Sequence, residues 1–194
     1  ERVEAAGLTV APGFVDIHCH SDSVLFKKPR EQSKILQGVT TETIGNCGLS
    51  AAPVNPDTLE LLQKYTAAIF AGGKLDWNWR TTGEFLECIE KRQTIGNVAA
   101  LVGHGTVRIA AMGFENRQPS SAELAQMQQL VKESLAEGAF GLSSGLIYPP
   151  GVFSQTAEMI ELCRPVAAAG GLYATHMRNE GTWLIESVEE TIRV

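Results

Sequence analysis

The sequence predicts an α/β fold, namely the first five or so βα units of a (β/α)8 TIM barrel. Three observations carry this. Short β-branched or apolar runs alternate with longer stretches of helical period, five times over. No internal repeat or low-complexity linker interrupts the alternation. Residues able to do chemistry gather where successive strands end: His18 and His20, Cys47, His104, Ser143 and Ser144, then His176. In a parallel barrel those ends share one rim, and that rim carries the chemistry. The competing layout is a doubly wound open sheet, but no GxGxxG follows the first strand.

Each element has its own signal. Residues 1–11 read as a lone strand, closed by Pro12-Gly13. "FVDIHCH" (14–20) is the first barrel strand. "REQSKILQG" (30–38) has helical period and a glycine stop, and "VTTETIGNCG" (39–48) is the second strand. An amphipathic helix is expected over 56–73 and another over 83–92, after a looser "KLDWNWRTT". "NVAALVGHG" (97–105) is a continuous apolar run, as when both faces of a strand are buried. The clearest helix spans 120–138, where Ser120 and Glu123 have capping-box spacing and Gly138 is the stop. Residues 139–146 form the fourth strand, and a helix follows from Thr156 to Ala169, with a kink expected at Pro165. The fifth strand begins "GLYATHMRNEG" (171–181), and the last helix (183–194) places Leu184, Ile185, Val188 and Ile192 on one side.

Composition narrows the function classes. The 194 residues carry a net charge of -6 and no basic run, which argues against nucleic acid as partner. No stretch approaches the roughly 18 consecutive apolar residues of a membrane span, and the N-terminus lacks the basic lead of a signal peptide. The four cysteines are widely spaced in a chain too large to need staples, so reduced thiols and a cytoplasmic protein are expected.

Two of only four histidines stand one residue apart in "PGFVDIHCHSD" (12–22). On a strand, i and i+2 share a face, so His18 and His20 can reach one point while Cys19 faces away. Two converging imidazoles suit a zinc-like ion, with Asp16 one step behind to hold an imidazole. On the motif alone, two imidazoles satisfied by backbone carbonyls are an equal alternative. Cys47 in "IGNCG" is by itself a small buried residue, but beside a dication its thiol would ionise and ligate.

"VAPGFVDIHCHSD" resembles the opening metal motif of the amidohydrolase superfamily, whose (β/α)8 barrel is flanked by a small β-sandwich. The narrower resemblance is to the N-acyl-D-amino-acid deacylases, or D-aminoacylases. It rests on "QGVTTETIGNCGLSAAP" (37–53), "LVGHGTVRIAAMG" (101–113), "EGAFGLSSGLIYPPG" (137–151) and "YATHMRNEG" (173–181). The resemblance implies that residues 1–11 are a remnant of the flanking sandwich and 12–194 the N-terminal part of the barrel. It implies that Cys47 and His176 hold a tightly bound Zn2+, that His18 and His20 line a second, weaker metal position, and that Tyr148 approaches the substrate. His104 and Arg178 lie in family motifs at the rim and are given a substrate-side role. Arg178 is a candidate for the substrate carboxylate, with a salt bridge to Glu180 as the alternative.

The activity so implied is zinc-dependent hydrolysis of small-molecule N-acyl-D-amino acids to a carboxylate and a free D-amino acid. A cyclic-amide hydrolase of the dihydroorotase or hydantoinase kind is the alternative, although "GNCG" stands where those usually carry a bridging lysine. A non-catalytic piece with a partial metal site is a third. The family's further zinc-ligating histidine and its catalytic aspartate are expected beyond Val194, so the chain is read as part of a longer protein and as inactive alone.

Overall fold

The computed structural model describes residues 2–27, 33–70 and 75–194. Among these residues five strands form one parallel sheet: β1 (Phe14–Asp16), β2 (Val39–Ile44), β3 (Asn97–Gly103), β4 (Gly141–Gly145) and β5 (Leu172–His176). Their order in space is their order in the chain, β1-β2-β3-β4-β5. That decides between the two expected layouts. A doubly wound sheet reverses its strand order at a switch point, whereas a barrel adds each strand beside the last. The structure is an arc of a TIM barrel.

Among the described residues six α-helices run between and after the strands: α1 (Leu59–Thr66), α2 (Thr82–Arg92), α3 (His104–Met112), α4 (Ser121–Ala136), α5 (Thr156–Ala168) and α6 (Leu184–Arg193). They divide the core in two. Ile44 and Ala100 of the sheet pack with Leu62 of α1, Phe85 and Ile89 of α2, and Trp79. Trp79 is the anchor: its ring lies 5.0 Å from Phe85 and 5.7 Å from Phe26, and its Nε1 donates to Ala51 O at 2.7 Å. The second cluster joins Val102 and Leu142 of the sheet to Val107, Met127, Val131, Met159 and Leu162 of α3, α4 and α5.

The capping box at Ser120 is present, with Glu123 bonded back to the Ser120 amide, and a second one, Thr81 with Glu84, starts α2. Several expectations are corrected. Residues 2–13 form no strand; they have no neighbouring strand to bond, and a strand without a partner leaves its backbone unpaired. The expected helix over 30–38 is a single 3-10 turn at Ile35–Gln37, its first residues lying outside the described ones. The helix expected to reach residue 73 ends at Thr66, and residues 71–74 lie outside the described ones. α5 runs through Pro165 unbroken, because Gln128 Nε2 donates at 3.0 Å to the Glu161 carbonyl that proline cannot serve.

Helix α3 carries no helical signal in the sequence. Its residues are buried on almost every side, so it has no polar face to set a helical period, and Thr106, Val107 and Ile109 mimic a strand. The apolar side of α6 behaves oppositely. Ile185 and Ile192 are exposed, and only Ser187 of this helix is buried.

A candidate metal centre at the strand ends

The first strand stops earlier than its apolar run suggests. Asp16 Oδ1 accepts the His18 amide at 3.2 Å, drawing that N–H out of the ladder and bending the chain at His18. Cys19 N still reaches Thr43 O of β2 at 3.2 Å, so the bent segment stays beside its neighbour. Asp16 thus serves the backbone, and its other oxygen takes Lys34 Nζ at 2.8 Å, an ion pair that holds the Asp16 carboxyl below its usual range. It holds no imidazole, contrary to expectation. Lys34 also binds Glu42 at 2.7 Å, and Ser21 and Cys19 donate to the same carboxylate. Cys19 therefore belongs to a separate polar group from the two histidines, although the strand has ended before it.

His18 and His20 converge with Cys47. One donor atom from each, two imidazole nitrogens and the sulfur, lie within 4.8 Å of one another. Cys47 Sγ is 3.2 Å from His18 Nε2, and the two rings stand edge to face at 5.5 Å. His20 Nδ1 is buried without a hydrogen-bond partner among the described residues. Burial pushes the His20 imidazole below its usual value, and the neighbouring rings of His18 and His176 add to this. Burial pushes the Cys47 thiol up. Two nitrogens and a sulfur are the donor types of a zinc site, and His20 keeps a buried nitrogen with no partner among the described residues, so the residues fit such an ion.

Cys47 is held by a turn that its sequence makes possible. Gly45, Cys47 and Gly48 all have positive φ, at 73°, 57° and 74°. The glycines adopt this freely, while a cysteine there costs about 1–2 kcal/mol. Ser143 of β4 spans the turn: its hydroxyl donates to Gly45 O and accepts Gly48 N at 2.9 Å. Tyr148, after β4, donates to Cys47 O. Tyr65 of α1 donates to Gly48 O at 3.2 Å. The sequence pattern pointed to Ser143 only as a rim residue and gave no signal for Tyr65, whose role depends on α1 crossing the turn.

His176, at the end of β5, comes to the same rim but stands outside the converging group. Its Nε2 faces Glu180 Oε1 at 3.4 Å, and its ring lies edge to face with Tyr148 at 5.6 Å. Tyr148 therefore touches the carbonyl of one candidate ligand and the ring of another.

Two residues expected on the substrate side are held by carboxylates of the chain. His104, directly after β3, is 0% exposed, and its Nε2 meets Glu158 Oε1 of α5 at 2.8 Å. Arg108, one turn on, binds the same carboxylate at 3.2 Å and also donates to the carbonyls of Glu115 and Arg117. This enclosed trio ties α3 to α5 and to the loop after α3. Arg178 is paired, but with Glu190 of α6 rather than Glu180. Sequence distance made Glu180 the obvious partner; the return of α6 brings Glu190 nearer.

The amidohydrolase family model matches residues 1–180, and the chain belongs to that family. Within it, the chain is 41% identical to D-aminoacylase of Alcaligenes xylosoxydans xylosoxydans, over all of this chain and 39% of the relative. It is 38% identical to the N-acyl-D-glutamate deacylase of the same organism, again over all of this chain and 38% of the relative. A solved structure of N-acyl-D-glutamate deacylase from Bordetella bronchiseptica, complexed with zinc and a phosphonate inhibitor, superposes with a TM-score of 0.81 at 36% identity. A D-aminoacylase crystal structure superposes at 0.79 and 40% identity, and each superposition covers 94% of this chain and 37% of the other. The chain thus spans about two fifths of the length of these relatives.

Proposed function

We propose that the protein containing this chain is a zinc-dependent hydrolase that cleaves N-acyl-D-amino acids into a carboxylate and a free D-amino acid. The observation that carries the proposal is the convergence of His18, His20 and Cys47 within 4.8 Å at the barrel rim. The named relatives support the substrate class: they are D-aminoacylase and the deacylases of N-acyl-D-aspartate and N-acyl-D-glutamate. The zinc complex of the Bordetella deacylase supports the metal.

In this reading Cys47, His18, His20 and His176 hold the metal. When bound, zinc supplies a Lewis acid and an acidified water at neutral pH. The chain's own residues set the geometry around it. The hydroxyl of Tyr148 is anchored on Cys47 O, so its ring forms a fixed wall beside His176. His104 and Arg178 act through structure: one locks α3 to α5, the other locks the loop after β5 to α6. All four cysteines are free thiols, which supports a reducing, cytoplasmic setting. Among the described residues no helix is long and apolar enough to cross a membrane, and the acidic balance favours a small molecule over nucleic acid as partner.

The test offers racemic N-acetyl-methionine to the whole protein with zinc and measures the chirality of the released amino acid. D-methionine alone is the expected product. Release of the L form, or hydrolysis only of cyclic amides, would sink the proposal.

A further inference from the structure

The turn that carries Cys47 is built unlike the rest of the rim. Three of its residues, Gly45, Cys47 and Gly48, occupy left-handed backbone in a stretch of four. For Cys47, which is not a glycine, such a conformation persists only when its surroundings over-determine it. Here the surroundings are specific. A Cβ on Gly103 would lie 2.5 Å from the Gly48 carbonyl carbon, and one on Gly145 would lie 2.4 Å from Cys47 O. A Cβ on Gly105 would collide with the Tyr65 hydroxyl. The ends of β3 and β4 and the start of α3 thus present bare backbone to the turn, which lets it settle deep enough for side chains to reach its polar groups.

Those side chains come from two elements far apart in sequence. Ser143 is 0% exposed and bonds both ends of the turn, Gly45 O and Gly48 N. Tyr65 reaches Gly48 O from α1, and burial raises its phenol well above the usual value, so the hydroxyl stays a donor. Neither side chain is one of the converging donor atoms.

We infer that Ser143 and Tyr65 are positioning residues for the metal centre: they hold the Cys47 turn in its left-handed form and so aim the thiol at the point shared with His18 and His20. The inference rests on the metal role proposed for Cys47. Groups that orient a ligand are worth about 10- to 100-fold in metal affinity. A role confined to general stability would leave the sulfur–metal bond unchanged in the folded protein.

The experiment uses the whole protein, stripped of metal and titrated with Co2+. A sulfur-to-cobalt charge-transfer band reports the Cys47 bond directly, and competition with a chelator gives the affinity. Circular dichroism and a thermal melt show which variants are folded. Wild type is expected to show the band. Ser143→Ala and Tyr65→Phe, each folded, are expected to bind Co2+ at least about 10-fold more weakly with a diminished band. If wild type shows no sulfur band, the metal role of Cys47 fails and the inference falls with it. If wild type shows the band and the folded variants keep both band and affinity, the inference alone is overturned. Should Ser143→Ala not fold, Tyr65→Phe decides by itself, because it removes one hydroxyl and keeps the partly buried ring.

Discussion

Arg178 and Glu190 form a two-point ion pair, Nε to Oε2 at 2.9 Å and Nη2 to Oε1 at 2.8 Å. Glu190 also accepts the Thr156 hydroxyl at 2.8 Å, so one carboxylate joins the loop after β5, the start of α5, and α6. The Arg178 guanidinium holds the Glu190 carboxyl below its ordinary value of 4.5. A carboxyl depressed by folding adds stability that is complete above its unfolded value and fades as pH falls through the folded one. Glu190→Gln should therefore cost about 1 kcal/mol at pH 7, after solvent screening, and progressively less as pH falls below the ordinary carboxyl value of 4.5. Urea midpoints across that range check this; an equal loss at both ends would contradict it.

The enclosed trio of His104, Glu158 and Arg108 should behave differently. Removing one partner of a buried pair leaves a charge in a place that water cannot reach. Glu158→Ala strands Arg108, whose side chain is fully buried, and leaves His104 Nε2 without its acceptor. The expected loss is about 3–5 kcal/mol, several times that at Glu190. Chemical denaturation of both variants in parallel gives the comparison. A loss under about 1 kcal/mol at Glu158 would mean water reaches the trio.

Much of this architecture is legible in the sequence because it is periodic or locally capped. The alternation of strands and helices, the box at Ser120 and the spacing of His18 and His20 are all short-range patterns. What stayed illegible depends on long-range return. Helix α3 is buried all round and so lacks a period. Asp16 sits on the expected side of the strand rule, yet it caps the His18 amide and breaks the strand before the rule applies. His104 stands at a strand end, but its acceptor is 54 residues away on α5. Tyr65 gives no signal in sequence at all, since nothing short-range links it to Gly48.

Two glycines, one packed on the Cys47 turn and one after α5, should separate crowding from backbone strain. At Gly103, φ is ordinary, but a methyl group would meet the Gly48 backbone at 2.5 Å. At Gly170, φ is 68° with nothing within 4 Å. Gly170→Ala should cost about 1–2 kcal/mol from conformation alone and leave metal binding untouched. Gly103→Ala should cost about 1–3 kcal/mol from overpacking and weaken metal binding as well, because the turn must move. Thermal melts and Co2+ titration of both variants test the contrast. Equal metal affinities would show that the turn tolerates displacement.

The four thiols offer a last, independent check on where the metal binds. Cys163 packs among Met159, Leu162 and Val166, and burial pushes its thiol up to about 12. It should resist alkylation under all native conditions, since the thiolate is the reactive form. Cys47 is also buried, but its sulfur faces His18 Nε2 at 3.2 Å rather than apolar side chains. In metal-free protein it should alkylate slowly; with zinc bound, the sulfur's lone pairs are engaged and labelling should stop. Cys19 and Cys88 are only partly buried and lie outside the donor group, so their rates should not respond to zinc. Peptide mass spectrometry after timed alkylation, with and without a chelator, resolves all four. Zinc protection confined to Cys47 places the ion on that sulfur, whereas equal labelling of Cys47 in both states removes the thiol from the ligand set and leaves the imidazoles of His18 and His20 to hold the metal without it.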